Sequence, residues 1–447
     1  MSKFNFTRKG NFSQGNRLIT LDDLEGRDTD VNAALSATFA SRATALATQD
    51  RVRKPALSDI AIISDWESGH GWTVLGGLPD IDLNNTTHPL IGSQSIRYDL
   101  PTGVNRQLDK TGVSLNLTNR DLVVIMLGET GPAPGVSVFI SDATFANYER
   151  FTIAAGNLSL DPAEGWTVAR FRGLAARNEN VGTLDRANVT RLRLNLTTGA
   201  TPSSGYIAAI GTVAREKPNG AITLSFDDAA PGLMDHAVPA MAKRGYPGQA
   251  YVIGENVDNA TLANGASGRD MCRMLEDTFG WEVGGHARMN ADHVDLTTLS
   301  PTALEDSFLR MREWLAAAKL SGRHFAFPFG STSMNTNTLA AARRHFATAR
   351  SVTGTTVPFR SVWGSSADHY ALIAPSFGSP GITLAYMQSQ VDWVKANKAW
   401  GVLTFHEIGA GASAGDKIGR ADFETLCAYI QAQGVDVVTI SSALNVR

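Results

Sequence analysis

A single change of rhythm, at Arg215-Glu216-Lys217-Pro218-Asn219-Gly220, constrains this chain more than any other feature. Ahead of it, from about residue 58, apolar residues recur at every second position. Ile96, Tyr98 and Leu100 alternate with Arg97 and Asp99, and Leu192, Leu194 and Leu196 with Arg193 and Asn195. Val113, Leu115 and Leu117 repeat the pattern, and Val136 and Val138 flank Ser137. A period of two puts alternate side chains on opposite faces of a strand. Many such runs, punctuated by Gly, Pro, Asn and Asp, predict an antiparallel, jelly-roll-like β-sandwich over residues 58–217. Behind the join, strand-like AITLSF, QAYVI, WEVGGH, HFAFPFG, WGVLTFHEI and DVVTI are separated by helical stretches. That alternation predicts a parallel β/α barrel or a doubly wound sheet over residues 218–447. Its clearest helix follows Ser300, with Pro301 at the first helical position and Leu304, Phe308, Met311 and Leu315 on one face.

At 447 residues the chain exceeds one ordinary core, so a multidomain β plus α/β organisation is expected. The remaining segment, residues 1–57, is polar and then Ala-rich. There Val31, Leu35, Phe39 and Ala43 recur at helical spacing, which predicts a helix packed on a neighbour or on copies of itself. A net charge of −3 leaves no basic footprint and argues against nucleic acid as the main partner. Cys272 and Cys427 are too few and too far apart for a disulfide framework or a thiolate metal site. No apolar run is long enough to span a membrane. The opening MSKFNFTRKGNFSQGN lacks the apolar stretch of a secretory signal. It predicts work in the cytoplasm or exit by another route, such as release on a virus particle.

The chemistry gathers at strand ends. TLSFDDA, from Thr223, is an apolar strand that stops in two carboxylates, Asp227 and Asp228. Adjacent acids there are costly unless solvated, paired or bound to a cation; the plainer reading is Asp228 as a helix cap. Gly284-Gly285-His286 ends a second strand, with Asn290 and His293 following. Two histidines seven residues apart can meet one cation across a loop or two helical turns, though most such histidines are hydrogen-bonded surface groups. His324-Phe325-Ala326-Phe327-Pro328-Phe329-Gly330 is either a shaped groove wall or core followed by a turn. LTFHE delivers His406. All these lie at the C-terminal ends of predicted strands, where barrel sites form. In the sandwich, Trp66 and Trp72 are a sugar-stacking pair or, more commonly for Trp in a sandwich, core.

This set and its order resemble the polysaccharide deacetylases, the NodB-homology family (carbohydrate esterase family 4), over about residues 220–440. TLSFDDA resembles the family's T-F-D-D block, EVGGHARMNADHVDLTTLS its second, FAFPFG its third and LTFHEI its last. The resemblance implies a distorted (β/α) barrel of NodB type. It implies Asp227 as general base, His406 as general acid, and Asp228 and His286 as ligands of a divalent cation, often zinc. It also implies an oxyanion contact from the Phe329 backbone N–H, with Phe327 and Pro328 shaping the substrate groove. Two positions depart. Where the family has its second histidine this chain has Asn290, so His293 is the expected third ligand and the Asn290 amide oxygen the alternative. Where many members have an orienting arginine this chain has Ala326, so Arg350 or Arg360 is expected to substitute, and Asp368 to orient His406.

The resulting expectation is a metal-dependent deacetylase acting on an acetylated polysaccharide (capsule, peptidoglycan or a chitin-like glycan). SDWESGHGW, GSQSIRYDL and YIAAIGTV look like the carbohydrate-binding jelly rolls that target such enzymes. Glycoside hydrolysis by the Asp pair fits poorly, because its two carboxylates must sit about 5–9 Å apart across a sugar. A catalytically degenerate glycan-binding or virion structural protein is the non-enzymatic alternative. The signal-less start and the candidate helix point to a homo-oligomeric bacteriophage tail protein, trimeric in that case, with a bacterial envelope enzyme as runner-up.

Overall fold

The computed structural model describes residues 57–77, 79–155, 166–171, 174, 177–215, 217–228, 232–260, 267–353, 369–370 and 372–444. The candidate helix bearing Val31, Leu35, Phe39 and Ala43 lies outside the described residues, as do Arg360 and Asp368.

The alternating segment forms two six-stranded antiparallel sheets. One runs Ile81–Asn85, Ser95–Leu100, Ser203–Ala214, Arg120–Thr130, Thr167–Phe171, with Ile60–Ser64 also paired to Ser203–Ala214. The other runs Arg177–Val181, Tyr148–Ile153, Gly135–Ser141, Val189–Thr197, Asn105–Leu115, Trp72–Val74. Ile96, Tyr98 and Leu100 of the first sheet share one apolar cluster with Leu192, Leu194 and Leu196 of the second. The intervening Arg97 and Asp99 stay partly or fully exposed, as a period of two requires. Trp66 and Trp72 sit in the same cluster at 0% and 3% exposure. The Trp72 indole N–H donates to the Ser64 hydroxyl at 2.9 Å, and its ring lies 5.3 Å from that of Trp66. This corrects the sugar-stacking reading: neither indole presents a face to a ligand, because both fill the core.

Seven parallel strands follow: β1 (Ala221–Asp227), β2 (Gln249–Ile253), β3 (Glu282–Ala287), β4 (His324–Ala326), β5 (Thr348–Thr353), β6 (Leu372–Pro375) and β7 (Trp400–Phe405). Their order is β6-β5-β4-β3-β2-β1-β7, with Asp436–Val437 also beside β1. The sheet curls until its edges touch. Ser376, just past β6, bridges Thr404 of β7, and the Phe377 N–H donates to the Thr404 carbonyl at 2.9 Å. Of the two architectures predicted for this half, a curled parallel sheet is the one formed.

Alternation explains what each strand contributes. Ile222, Leu224 and Phe226 of β1 face outward into a core shared with the helices. A separate cluster containing Tyr251, Ala326, Ala374, Trp400 and Val402 lies on the inward face, where it shares the lumen with polar side chains. Gly284 on β3 is required by close approach, since a Cβ there would lie 2.5 Å from the His324 carbonyl oxygen and 2.9 Å from the Tyr251 ring. The helix Pro301–Ala317 starts where predicted, with the Ser300 hydroxyl accepting from the Ala303 N–H, and it buries Leu304, Phe308, Met311 and Leu315.

Candidate active site

The residues singled out from sequence converge at the C-terminal rim of the curled sheet. Asp227 ends β1 and Asp228 follows it; His286 lies on β3, and His406 comes directly after β7. His293 is carried by the turn Asn290–Asp292 that follows β3. The Asp292 carboxylate braces that turn, accepting from the Met289 N–H at 3.2 Å and from Arg310 at 3.2 Å.

Asp228, His286 and His293 each offer one ligand atom, all within 4.8 Å of one another. His286 Nε2 and His293 Nε2 are 3.1 Å apart, and they lie 3.4 and 3.8 Å from Asp228 Oδ1. Donors placed about 2.0–2.1 Å from a tetrahedral ion stand about 3.3 Å from each other, so this spacing suits one divalent cation. Two further observations support the fit. His286 Nδ1 lies 2.8 Å from the Ala326 carbonyl, which can only accept, so Nδ1 is the donor and Nε2 is the ring atom turned to the cluster. Asp228 Oδ1 is shielded from solvent and accepts no hydrogen bond among the described residues, although its backbone is held at φ 67°, a conformation that non-glycine residues adopt at a cost. Burial, aided by the neighbouring His286, lowers the His293 imidazole below its ordinary pKa and keeps it neutral, as a ligand must be.

Asn290 does other work. Its side-chain amide donates to Glu255 at 3.0 Å and to Asn256 at 2.9 Å, and its backbone N–H donates to Glu255 at 2.8 Å. The amide pins the His293 turn to the segment after β2, and it is His293 that joins the cluster.

Asp227 is 2% exposed, and the fully buried Arg350 of β5 donates from Nη2 to its Oδ1. Burial works to raise the Asp227 carboxyl, but Arg350 above all, with His286 and His406, outweighs it and holds the carboxyl below the usual range. The guanidinium rests on the Tyr251 ring, 4.7 Å from its centroid. Asp227 Oδ2 lies 4.0 Å from His406 Nε2, while His406 Nδ1 is 3.3 Å from the Ser376 hydroxyl.

The third motif divides. Phe327 is 1% exposed and packs edge-on against Phe325, 5.6 Å between ring centroids, and Pro328 is buried too. Both are core, which corrects their reading as groove wall: β4 extends its pairing through the Phe327 N–H to the Arg350 carbonyl at 2.8 Å. Phe329 alone reaches solvent, at 59% exposure and φ 56°, with its ring 5.0 Å from that of His293. Sequence reasoning missed Tyr251, Ser376 and Glu255. For Tyr251 a signal existed, since alternation in QAYVI places it on the same face as Gln249, away from Ala250 and Val252.

Residues 214–349 match the family model for polysaccharide deacetylase, a stretch that holds Asp227, Asp228, His286 and His293. No curated protein matches the chain. Among solved structures, a family 4 carbohydrate esterase from Streptomyces lividans, in complex with acetate, is 16% identical. The match covers 50% of this chain and 95% of that one, with a TM-score of 0.35. The Xyl-CE4 domain of a multidomain xylanase from the hindgut metagenome of Trinervitermes trinervoides is 15% identical, over 51% of this chain and 90% of that one, at a TM-score of 0.33. A family 4 pseudoenzyme from Bacillus anthracis is 16% identical, over 51% and 66%, at a TM-score of 0.35. At such scores these likenesses carry no argument of their own, and the assignment rests on the family match. Residues 214–349 carry a polysaccharide deacetylase domain.

Proposed function

We propose that this protein removes acetyl groups from a bacterial surface polysaccharide by metal-dependent hydrolysis. The observation that carries the reading is the pairing of a three-ligand cluster, Asp228, His286 and His293, with a buried carboxylate held by Arg350. A divalent cation held there, zinc in our reading, would polarise the acetyl carbonyl and acidify a water. Asp227, fixed through Oδ1, is left with Oδ2 to take a proton from the attacking water. The Phe329 backbone N–H donates to the oxyanion as it forms. His406, steadied by Ser376, returns a proton to the departing nitrogen or oxygen of the sugar. The exposed Phe329 ring flanks the acetyl site as an apolar wall for one face of the sugar.

In the same reading the two N-terminal sheets are a β-sandwich of carbohydrate-binding type that brings the glycan to the barrel. The protein acts outside the cell, as part of a phage tail. The catalytic core is tested by acetate release from chitooligosaccharide, peptidoglycan and capsule, with zinc, with a chelator, and with Asp227→Ala. Release that the chelator and Asp227→Ala both abolish is the expected result. No release from any glycan, by a protein that retains no metal, would move the reading to a non-catalytic glycan binder.

A further inference from the structure

The lumen of the curled sheet is polar in layers, and the layers differ. At the base, the Thr223 hydroxyl donates to the Val438 carbonyl at 2.8 Å and accepts from the Trp400 indole at 3.0 Å. His324 there bonds the Thr348 and Ser441 hydroxyls at 2.9 and 2.8 Å. This layer is closed by direct bonds between protein groups.

One step toward the rim, Ser225 of β1 is the register partner of both Gln249 on β2 and Thr404 on β7. Their chain neighbours Leu224, Phe226, Ala250, Leu403 and Phe405 belong to the outer core, so the three polar side chains point inward. All three are 0% exposed. Ser225 Oγ, Gln249 Oε1 and Nε2, and Thr404 Oγ1 have no hydrogen-bond partner among the described residues, and the same holds for Nε and Nη1 of Arg350. Arg350 lies over Tyr251, two residues along β2 from Gln249, so the guanidinium and this layer are neighbours. The Tyr251 hydroxyl beside them is likewise without a partner among the described residues. Buried polar groups are paired in native folds, and these orphans in one lumen call for an occupant.

The donor set decides its chemistry. A divalent cation sealed here would need negative charge to match it, and Ser225, Gln249 and Thr404 supply none beside the Arg350 guanidinium, whose own charge already takes up that of Asp227. An anion needs unspent positive charge, whereas that of Arg350 is matched by Asp227. Hydroxyls and a carboxamide both donate and accept, which suits neutral water. We propose that ordered waters, about two or three at about three hydrogen bonds each, are sealed in this layer. They complete the bonding of Ser225, Gln249 and Thr404 and grip the free edge of Arg350, holding its guanidinium against Asp227. The three residues are positioning residues for the carboxylate, independent of which glycan is hydrolysed.

A high-resolution crystal structure of the full chain tests this directly. The expected result is enclosed water density bonded to Gln249 and Arg350. Direct side-chain bonds with no density between them, or an anomalous peak there after a bromide soak, would overturn it. Thermal unfolding gives a second readout with opposite signs. Gln249→Met and Thr404→Val remove polar atoms at nearly constant volume. If those atoms bond water, both variants melt at lower temperature; an unchanged or higher Tm refutes the proposal. Crystal structures should also show Arg350 shifted off Asp227 in Thr404→Val and restored in Thr404→Ser, and an unmoved Arg350 in Thr404→Val would count equally against it.

Discussion

Arg350 crosses the lumen from β5 to bond Oδ1 of Asp227 on β1, and in doing so leaves Oδ2 of that carboxylate 4.0 Å from His406 Nε2. The ion pair is shielded from bulk solvent, at 0% and 3% side-chain exposure. Removing one member strands the other's charge, which costs about 3–5 kcal/mol. Arg350→Met is therefore expected to lose stability of that order in urea unfolding. The double variant Asp227→Asn with Arg350→Met should lose clearly less than the sum of the two single changes.

The same pair sets an acid limit. The folded Asp227 carboxyl lies below its reference value of 3.8 because Arg350, helped by His286 and His406, overcomes burial. Its contribution to stability is thus complete above that reference value and fades as pH falls through the lower, folded value. In Arg350→Met burial is left to dominate and the carboxyl rises. Circular dichroism should then show acid unfolding starting at higher pH than in the wild type. A transition at the same or lower pH would contradict this account of Asp227.

Metal affinity separates ligands from the groups that hold them. Cobalt or zinc titration should give one site per chain. Asn290→Ala, which frees the His293 turn from Glu255 and Asn256, is expected to weaken binding about 10–100-fold, and His293→Ala to weaken it further. If the order is reversed, the Asn290 oxygen is the ligand after all.

Phe329 offers a case where stability and function part. Its backbone occupies the left-handed region at φ 56° and its side chain is mostly in solvent. Phe329→Gly should leave stability unchanged or raise it by about 1 kcal/mol, the cost of that conformation for a side-chain-bearing residue. In the proposed reaction the same change should raise KM by removing the wall beside the sugar. A melting curve and a substrate titration on one preparation decide both.

Much of the site was legible because strand ends announce themselves locally. The doublet Asp227-Asp228 after an apolar run, the glycines before His286, and the apolar strand before His406 each give their position without knowledge of the fold. What was not legible depended on the far side of the lumen. Arg350 and Arg360 were equal candidates from sequence, because the distance to Asp227 across the curled sheet has no counterpart in spacing along the chain. Ser376 contacts His406 for the same non-local reason. Phe327 and Trp66 were each left with two readings, wall or platform against core, because an aromatic residue beside a turn reads alike whether its ring faces solvent or core. For both the core reading is the one formed, among neighbouring rings.

Ser376 has two loyalties, to the strand seam at Thr404 and to the imidazole of His406. His406, the proton donor of the proposed reaction, is thereby mounted on the joint of the ring, whereas the three candidate metal ligands hang from the β1 and β3 side, away from it. Thermal or mutational slackening of the joint should reach His406 before it reaches them. Such a protein would wear out in a fixed order, losing the proposed activity while its candidate ligand cluster is still assembled.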